Sequence, residues 1–124
     1  MKAMSHLVTI QTQVRDPEAV KQACNRIGVA QPVYGTTKMF DGASVTGWQV
    51  RLPDWQYPVT CDTASGTVHY DNFRGRWGKQ EHFDRFMQAY AAEKAKIEAR
   101  KKGYRCTEAT QPDGSIKLTL HVGA

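Results

Sequence analysis

Residues 73–104 read FRGRWGKQEHFDRFMQAYAAEKAKIEARKKGY and contain the longest periodic stretch of the chain. The large apolar positions recur mostly three or four residues apart and share one face of an α-helix: Phe83, Phe86, Met87, Tyr90 and Ile97. Lys101 and Lys102 suit the negative end of a helix, and Gly103 suits a left-handed C-terminal position. The stretch therefore predicts a helix over residues 79–102, about 36 Å long, that covers the face of a small sheet.

The rest of the chain predicts short strands and one short helix. Residues 6–14 alternate as a strand does, after which Asp16 caps a helix that begins at Pro17 and ends at Gly28. Further strands are predicted at residues 33–40, 44–52, 59–62, 67–70, 104–109 and 115–122, with turns at Asp41-Gly42, Ala64-Ser65-Gly66 and Pro112-Asp113-Gly114. The order β-α-β-β-β-β-α-β-β predicts a single α+β domain over residues 1–124. Its sheet is mostly antiparallel, with both helices on one face, as in a two-layer sandwich.

Composition narrows the classes to which the chain can belong. With 124 residues, 40% hydrophobic and 23% charged, it is expected to fold as one globular domain. No apolar run approaches the roughly 20 residues that span a bilayer, and the start carries no export signal. Cys24, Cys61 and Cys106 are an odd number without a Cys-x-x-Cys pair, which indicates a reduced cytoplasmic setting and no metal site. No cofactor motif is present.

The net charge of +5 is concentrated at the two ends of the predicted long helix. Residues 73–79 carry Arg74, Arg76 and Lys79 and no acidic residue. Residues 93–105 carry six basic residues against Glu93 and Glu98. These two segments predict a surface for an anionic partner.

Several segments resemble a known family, and together they extend over nearly the whole chain. They are Met4–Gln13 (MSHLVTIQTQ), Tyr70-Asp71-Asn72 with Gly75–Gly78, Gln88–Ala91 with Glu93-Lys94, and Pro112–Leu118 (PDGSIKL). In these the chain is similar to an uncharacterised open-reading-frame family of plastids and cyanobacteria that is also found in other bacteria. The resemblance implies no particular chemistry, because the family has no established activity. It does imply an adaptor role, since some members accompany ATPases of the AAA class.

The sequence contains no strong combination of catalytic residues. His69 and Asp71 lie two apart on a predicted strand and share a face, but no further ligand completes a metal site. Cys61 and His69 face each other across a hairpin if the register allows it, yet nothing indicates an activated thiol. A structural role is favoured for all three residues, and the sequence predicts no enzyme.

The segment before the long helix suits two other kinds of contact. Its glycines and cations precede a helix N-terminus, where backbone amides bind anions, although tight turns alone also explain the glycines. It also interleaves rings with cations, as single-strand nucleic-acid binders do: Phe73, Arg74, Arg76, Trp77 and Lys79. Lys101 and Lys102 add to this charge if they lie on the same side. Mixed Glu and Lys pairs along the helix argue instead for an ordinary solvated surface.

Large side chains in the middle of the chain point to protein binding. Trp55 and Tyr57 lie in a loop between Pro53 and Pro58, where an exposed aromatic residue is typical of a contact surface. Further candidates that either fill the core or contact a partner are Tyr34, Met39 and Trp48. Association of two copies of the chain through a sheet edge is a further alternative.

Together these observations predict a cytoplasmic, non-catalytic, partner-binding or adaptor module. Its predicted binding residues are Arg74, Arg76, Trp77, Lys79 and Trp55, with Lys101 and Lys102 beside the loop 73–79. The alternative function is binding of RNA or single-stranded DNA through the basic and aromatic loop 73–79.

Overall fold

The computed structural model describes residues 8–11, 13–39, 42–72 and 76–121. Its elements are β1 (Val8–Gln11), α1 (Pro17–Ile27), β2 (Val33–Lys38), β3 (Ser44–Val50), β4 (Val59–Asp62), β5 (Thr67–Tyr70), α2 (Gln80–Lys101), β6 (Arg105–Thr110) and β7 (Ile116–His121). The predicted order and the α+β class are confirmed. Within the described residues, neither helix is long and apolar enough to cross a membrane.

The helix ends follow local chemistry that the sequence predicted. Asp16 caps α1, because its carboxylate accepts hydrogen bonds from the backbone N–H groups of Glu18 and Ala19. At the end of α2, Gly103 adopts a left-handed conformation with φ of 77°. The N–H of Gly103 donates to Arg100 O, and the N–H of Tyr104 donates to Ala99 O. This pair of bonds is the Schellman arrangement that ends a helix at a glycine.

The strand order, which the sequence left open, places β1 and β2 at opposite edges. In the described part of the chain the main sheet is five-stranded and antiparallel, in the order β1-β5-β4-β3-β2. Among the described residues the last hairpin does not join it, because β6 and β7 pair with each other in a second, two-stranded sheet. The turn predicted at Asp41 lies outside the described residues.

Both helices pack on the same face of the main sheet. Register places Cys61 opposite Val68 and Val50 opposite Val59, so these side chains share that face. The helices complete one apolar cluster with Val20 and Cys24 from α1 and with Phe83, Phe86 and Tyr90 from α2. Phe86 is fully buried, and its truncation to alanine is expected to cost about 3–5 kcal/mol. This arrangement confirms the predicted two-layer sandwich.

Ion pairs tie the β6-β7 hairpin to the helices. Arg26 on α1 lies 2.9 Å from Glu93 on α2 and also pairs with Glu108 on β6. Lys96 contacts the same two carboxylates, at 3.2 and 3.3 Å. The Gln88 side chain also donates to Gly114 O at the hairpin turn. Most residues of the hairpin are exposed, and this polar network connects the hairpin to the helices rather than to the main sheet.

Candidate functional site

Hydrogen bonds to its backbone carbonyls hold the loop that leads into α2 against the core. The indole N–H of Trp55 donates to Lys79 O at 3.0 Å, and the Asn72 side chain donates to Gly78 O at 3.3 Å. A Cβ at Gly78 would lie 2.4 Å from the Trp55 ring. A glycine is therefore required at residue 78 so that the ring and the loop can pack together. The start of α2 is positioned rigidly as a result.

Trp55 is part of the core, so its prediction as an exposed contact residue is wrong. It is only 8% exposed. Its ring lies 5.6 Å from the Tyr70 ring and 6.3 Å from the Phe83 ring. The loop between Pro53 and Pro58 folds inward because this indole can fill the core with its ring and bond the loop through its N–H. Trp55 therefore supports the loop from within the core.

Tyr57 and Trp77 form a ring pair at the surface. Their centroids are 5.6 Å apart, and both side chains are half-buried. Backbone bonds hold the two segments in place: Gln56 N–H donates to Trp77 O at 2.8 Å, and Trp77 N–H donates to Asn72 O at 2.9 Å. Nothing in the sequence indicates that these rings meet, because they are 20 residues apart and the contact is set by the packing of two loops.

Two cations flank Trp77 and Gly78 in the chain. Arg76 and Lys79 are exposed on either side of Trp77 and Gly78, and α2 begins directly after them. The positive end of the helix dipole thus adds to their charge. Arg74, also predicted for this site, lies outside the described residues. We call Tyr57, Arg76, Trp77 and Lys79 the loop surface.

The prediction that Lys101 and Lys102 lie beside this loop is wrong. They are at the other end of α2, which has 22 residues and is therefore about 33 Å long. Lys101 contacts Glu98 at 3.3 Å, and the pKa of Glu98 is lowered by its hydrogen bonds to Lys94 and Lys101. The two basic segments are separate, and ion pairs partly neutralise the second.

The sheet register separates Cys61 from His69. Cys61 is opposite Val68, whereas His69 is opposite Thr60, so the two side chains point to opposite faces. The suggested thiol–imidazole contact is therefore wrong. Burial raises the pKa of Cys61 to about 12 and that of Cys24 to about 11, so neither thiol ionises at neutral pH. Among the described residues, no group of three histidine, cysteine or carboxylate side chains could hold a metal ion.

No protein-family model matches this chain, and neither a curated protein nor a solved structure does. The resemblance to the plastid and cyanobacterial family therefore stays a prediction. The function has to be argued from the geometry of the surface.

Proposed function

We propose that this chain is a cytoplasmic, non-catalytic module that binds an acidic segment of a protein partner through the loop surface. The observation that carries the proposal is that Arg76 and Lys79 are exposed within two residues of Trp77, whose ring pairs with that of Tyr57. Cys24 and Cys61 are fully buried, which supports a structural role for these two thiols.

Carboxylates suit the polar part of this surface. The Arg76 guanidinium and the Lys79 ammonium donate hydrogen bonds to anionic oxygens, and the start of α2 favours negative charge nearby. The ring edges of Tyr57 and Trp77 offer apolar contact to the side chains between those carboxylates. Because Trp55 and Asn72 already hold the loop, little ordering is left to oppose binding.

Single-stranded RNA or DNA is the second candidate ligand, since rings beside cations also bind nucleic acids. The ring geometry favours the acidic protein segment. Tyr57 and Trp77 contact each other and are half-buried, which reduces the ring area available for base stacking.

The resemblance adds one partner class to this proposal. It implies that the module acts as an adaptor for an ATPase of the AAA class. An acidic segment of such an ATPase is accordingly the first natural ligand to test once the chemistry of the loop surface has been established with defined probes.

The test is fluorescence anisotropy with three labelled probes across a salt series: a peptide of alternating glutamate and leucine, a single-stranded RNA and a single-stranded DNA. The variant is Arg76→Ala/Lys79→Ala. Its matched control is Arg100→Ala/Lys102→Ala, which removes the same charge from the far end of α2. We expect the site variant to weaken peptide binding about tenfold, since each exposed ion contact contributes up to about 1 kcal/mol, and the control to bind as the wild type does.

Three results would contradict the proposal. Equal losses in both variants would mean that binding follows net charge alone. Tight RNA or DNA binding that falls steeply with salt, without peptide binding, would favour the nucleic-acid function. No binding of any probe at low salt would remove the loop surface as an anion-binding site.

A further inference from the structure

A cationic cavity lies at the far end of α2 from the loop surface. It has a volume of about 500 Å³ and is bounded by the last turns of α2 and the start of β6. The described residues that line it are Lys96, Arg100, Tyr104, Arg105, Cys106 and Thr107. Three of these residues are cationic and none is acidic. Because the loop surface is at the other end of the helix, this cavity is independent of the proposed function.

The walls of the cavity are set by the turn of the chain between α2 and β6. Lys96 and Arg100 are four residues apart on α2 and therefore point to the same side of the helix. The chain turns back at Gly103, which has a left-handed conformation. Lys96 Nζ then lies 3.3 Å from a carboxylate oxygen of Glu108 on β6. This ion pair joins the two walls before any ligand binds.

The cations around this cavity outnumber the anions that contact them. Lys96 contacts Glu93 and Glu108. Arg26 contacts the same two carboxylates, so two cations are matched by two anions. By contrast, the two arginines of the cavity make no ion pair within the described part of the chain. Their positive charges are the surplus that an anionic ligand would neutralise.

The negative end of the α2 dipole is too weak to cancel this surplus. The dipole amounts to about half an elementary charge at the helix end, whereas the two arginines carry two full charges. The last carbonyls of α2 are also occupied, since Ala99 O accepts from the N–H of Tyr104 and Arg100 O accepts from the N–H of Gly103. The end of the helix therefore leaves the cavity positive.

We propose that this cavity binds a small phosphate ester, with its phosphate group held by Arg100 and Arg105. A phosphate monoester carries a charge of about −1.5 to −2 at neutral pH, which matches the two arginines. A guanidinium group binds phosphate oxygens through two parallel N–H···O bonds, so it suits phosphate better than a point charge does.

The rest of the cavity has room for an organic group on the phosphate. Sites for small molecules commonly have volumes of about 300–1000 Å³, and a phosphate group alone fills only a fraction of this cavity. Tyr104 and Cys106 are half-buried in its lining and offer apolar contact. Because a nucleobase stacks favourably on a tyrosine ring, a nucleoside monophosphate is the first compound to test.

The first test is an NMR titration of the isotope-labelled chain with adenosine monophosphate, inorganic phosphate and adenosine. We expect saturable shifts in the amides of residues 104–107 with both phosphates, tighter binding of the ester, and no such shifts with adenosine. Shifts centred on residues 76–79, or adenosine binding as tightly as its monophosphate, would overturn the proposal. Inorganic phosphate binding as tightly as the ester would overturn the assignment of an organic phosphate.

A double variant shows whether the two arginines hold the phosphate. Arg100→Gln/Arg105→Gln should weaken binding of adenosine monophosphate about tenfold, the loss expected for two half-exposed ion contacts. The matched control is Lys102→Gln/Lys117→Gln, which removes the same charge from exposed lysines that do not line the cavity and should bind as the wild type does. Equal losses in the two variants would contradict the proposal. Circular dichroism checks that both variants fold.

Cys106 provides a second readout, because its thiol lines the cavity and is partly exposed. Bound adenosine monophosphate should slow alkylation of Cys106 by iodoacetamide, an uncharged reagent, whereas the buried Cys24 and Cys61 stay unlabelled. Arg100→Gln/Arg105→Gln should lose this protection, and the lysine control should keep it. Labelling at the same rate with and without saturating adenosine monophosphate would place the ligand elsewhere and overturn the proposal.

Discussion

Substitution of Gly78 by alanine tests whether Trp55 holds the loop surface in place. The added Cβ would lie 2.4–2.6 Å from three atoms of the Trp55 ring, closer than any van der Waals contact. The backbone of Gly78 has no positive φ, so an alanine is not opposed by backbone strain. Either the indole or the loop has to move, and the bond from the indole N–H to Lys79 O is then lost.

The expected destabilisation follows from three contributions. Overpacking in a buried site costs about 2 kcal/mol, and loss of the hydrogen bond costs about 1 kcal/mol. Alanine restricts the backbone of the unfolded chain more than glycine does, and this offsets about 0.7 kcal/mol of the lost stability. The net loss in the free energy of unfolding is about 2 kcal/mol, which corresponds to a fall in Tm of roughly 8 °C for a domain of this size.

Urea unfolding followed by circular dichroism measures this loss, with Gly35→Ala as the matched control. Gly35 has open space around its Cβ position, so the same change there should leave stability within about 0.5 kcal/mol of the wild type. A Trp55→Leu background gives a further check. The flexible leucine can yield to the new methyl group, and the penalty of Gly78→Ala should then shrink.

A Gly78→Ala protein as stable as the wild type would refute this reasoning. So would a penalty of the same size in the Trp55→Leu background, because the loss would then not arise from contact with the indole. If the reasoning holds, Gly78→Ala should also weaken binding of the acidic peptide, although it changes neither Arg76 nor Lys79.

Three further predictions concern the rest of the fold. Arg26→Ala should release the β6-β7 hairpin, which faster amide hydrogen exchange in β6 and β7 would show, with little change in the core. Acid should also release the hairpin, because hydrogen bonding to Arg26 lowers the pKa of Glu108 in the folded state. The Glu108 carboxylate therefore stabilises the fold above the usual carboxyl pKa, and this stabilisation is lost as pH falls through the lowered pKa. Asp16→Ala should lower the free energy of unfolding by about 1–2 kcal/mol in urea, through loss of the α1 cap. At pH 8 a thiol reagent should label the partly exposed Cys106 in the native chain and reach the buried Cys61 only in urea, because burial raises the pKa of Cys61 to about 12.

Each of these predictions has an outcome that contradicts it. Hairpin exchange unchanged in Arg26→Ala, or unchanged at low pH, would mean that apolar contacts with α2 hold the hairpin. An Asp16→Ala variant as stable as the wild type would show that the cap contributes nothing measurable. Native labelling of Cys61 at the rate seen in urea would place that thiol outside the core.

The sequence alone determined the features that depend on neighbouring residues. The period of Phe83, Phe86 and Tyr90 places α2, Gly103 ends it, and Asp16 begins α1, because helix ends are set by hydrogen bonds within a few residues. The length of α2 also separates Lys79 from Lys101, because each helical residue adds about 1.5 Å, and this distance argues against a single basic patch.

Only the tertiary structure decided which distant side chains meet. The burial of Trp55 depends on its contacts with Tyr70 and Phe83, and the surface pair of Tyr57 and Trp77 depends on the packing of two loops. A shift of register by one residue reverses the face to which a strand side chain points. For that reason no local pattern could place Cys61 and His69 on opposite faces, or place Val33 and Tyr34 at the edge of the main sheet.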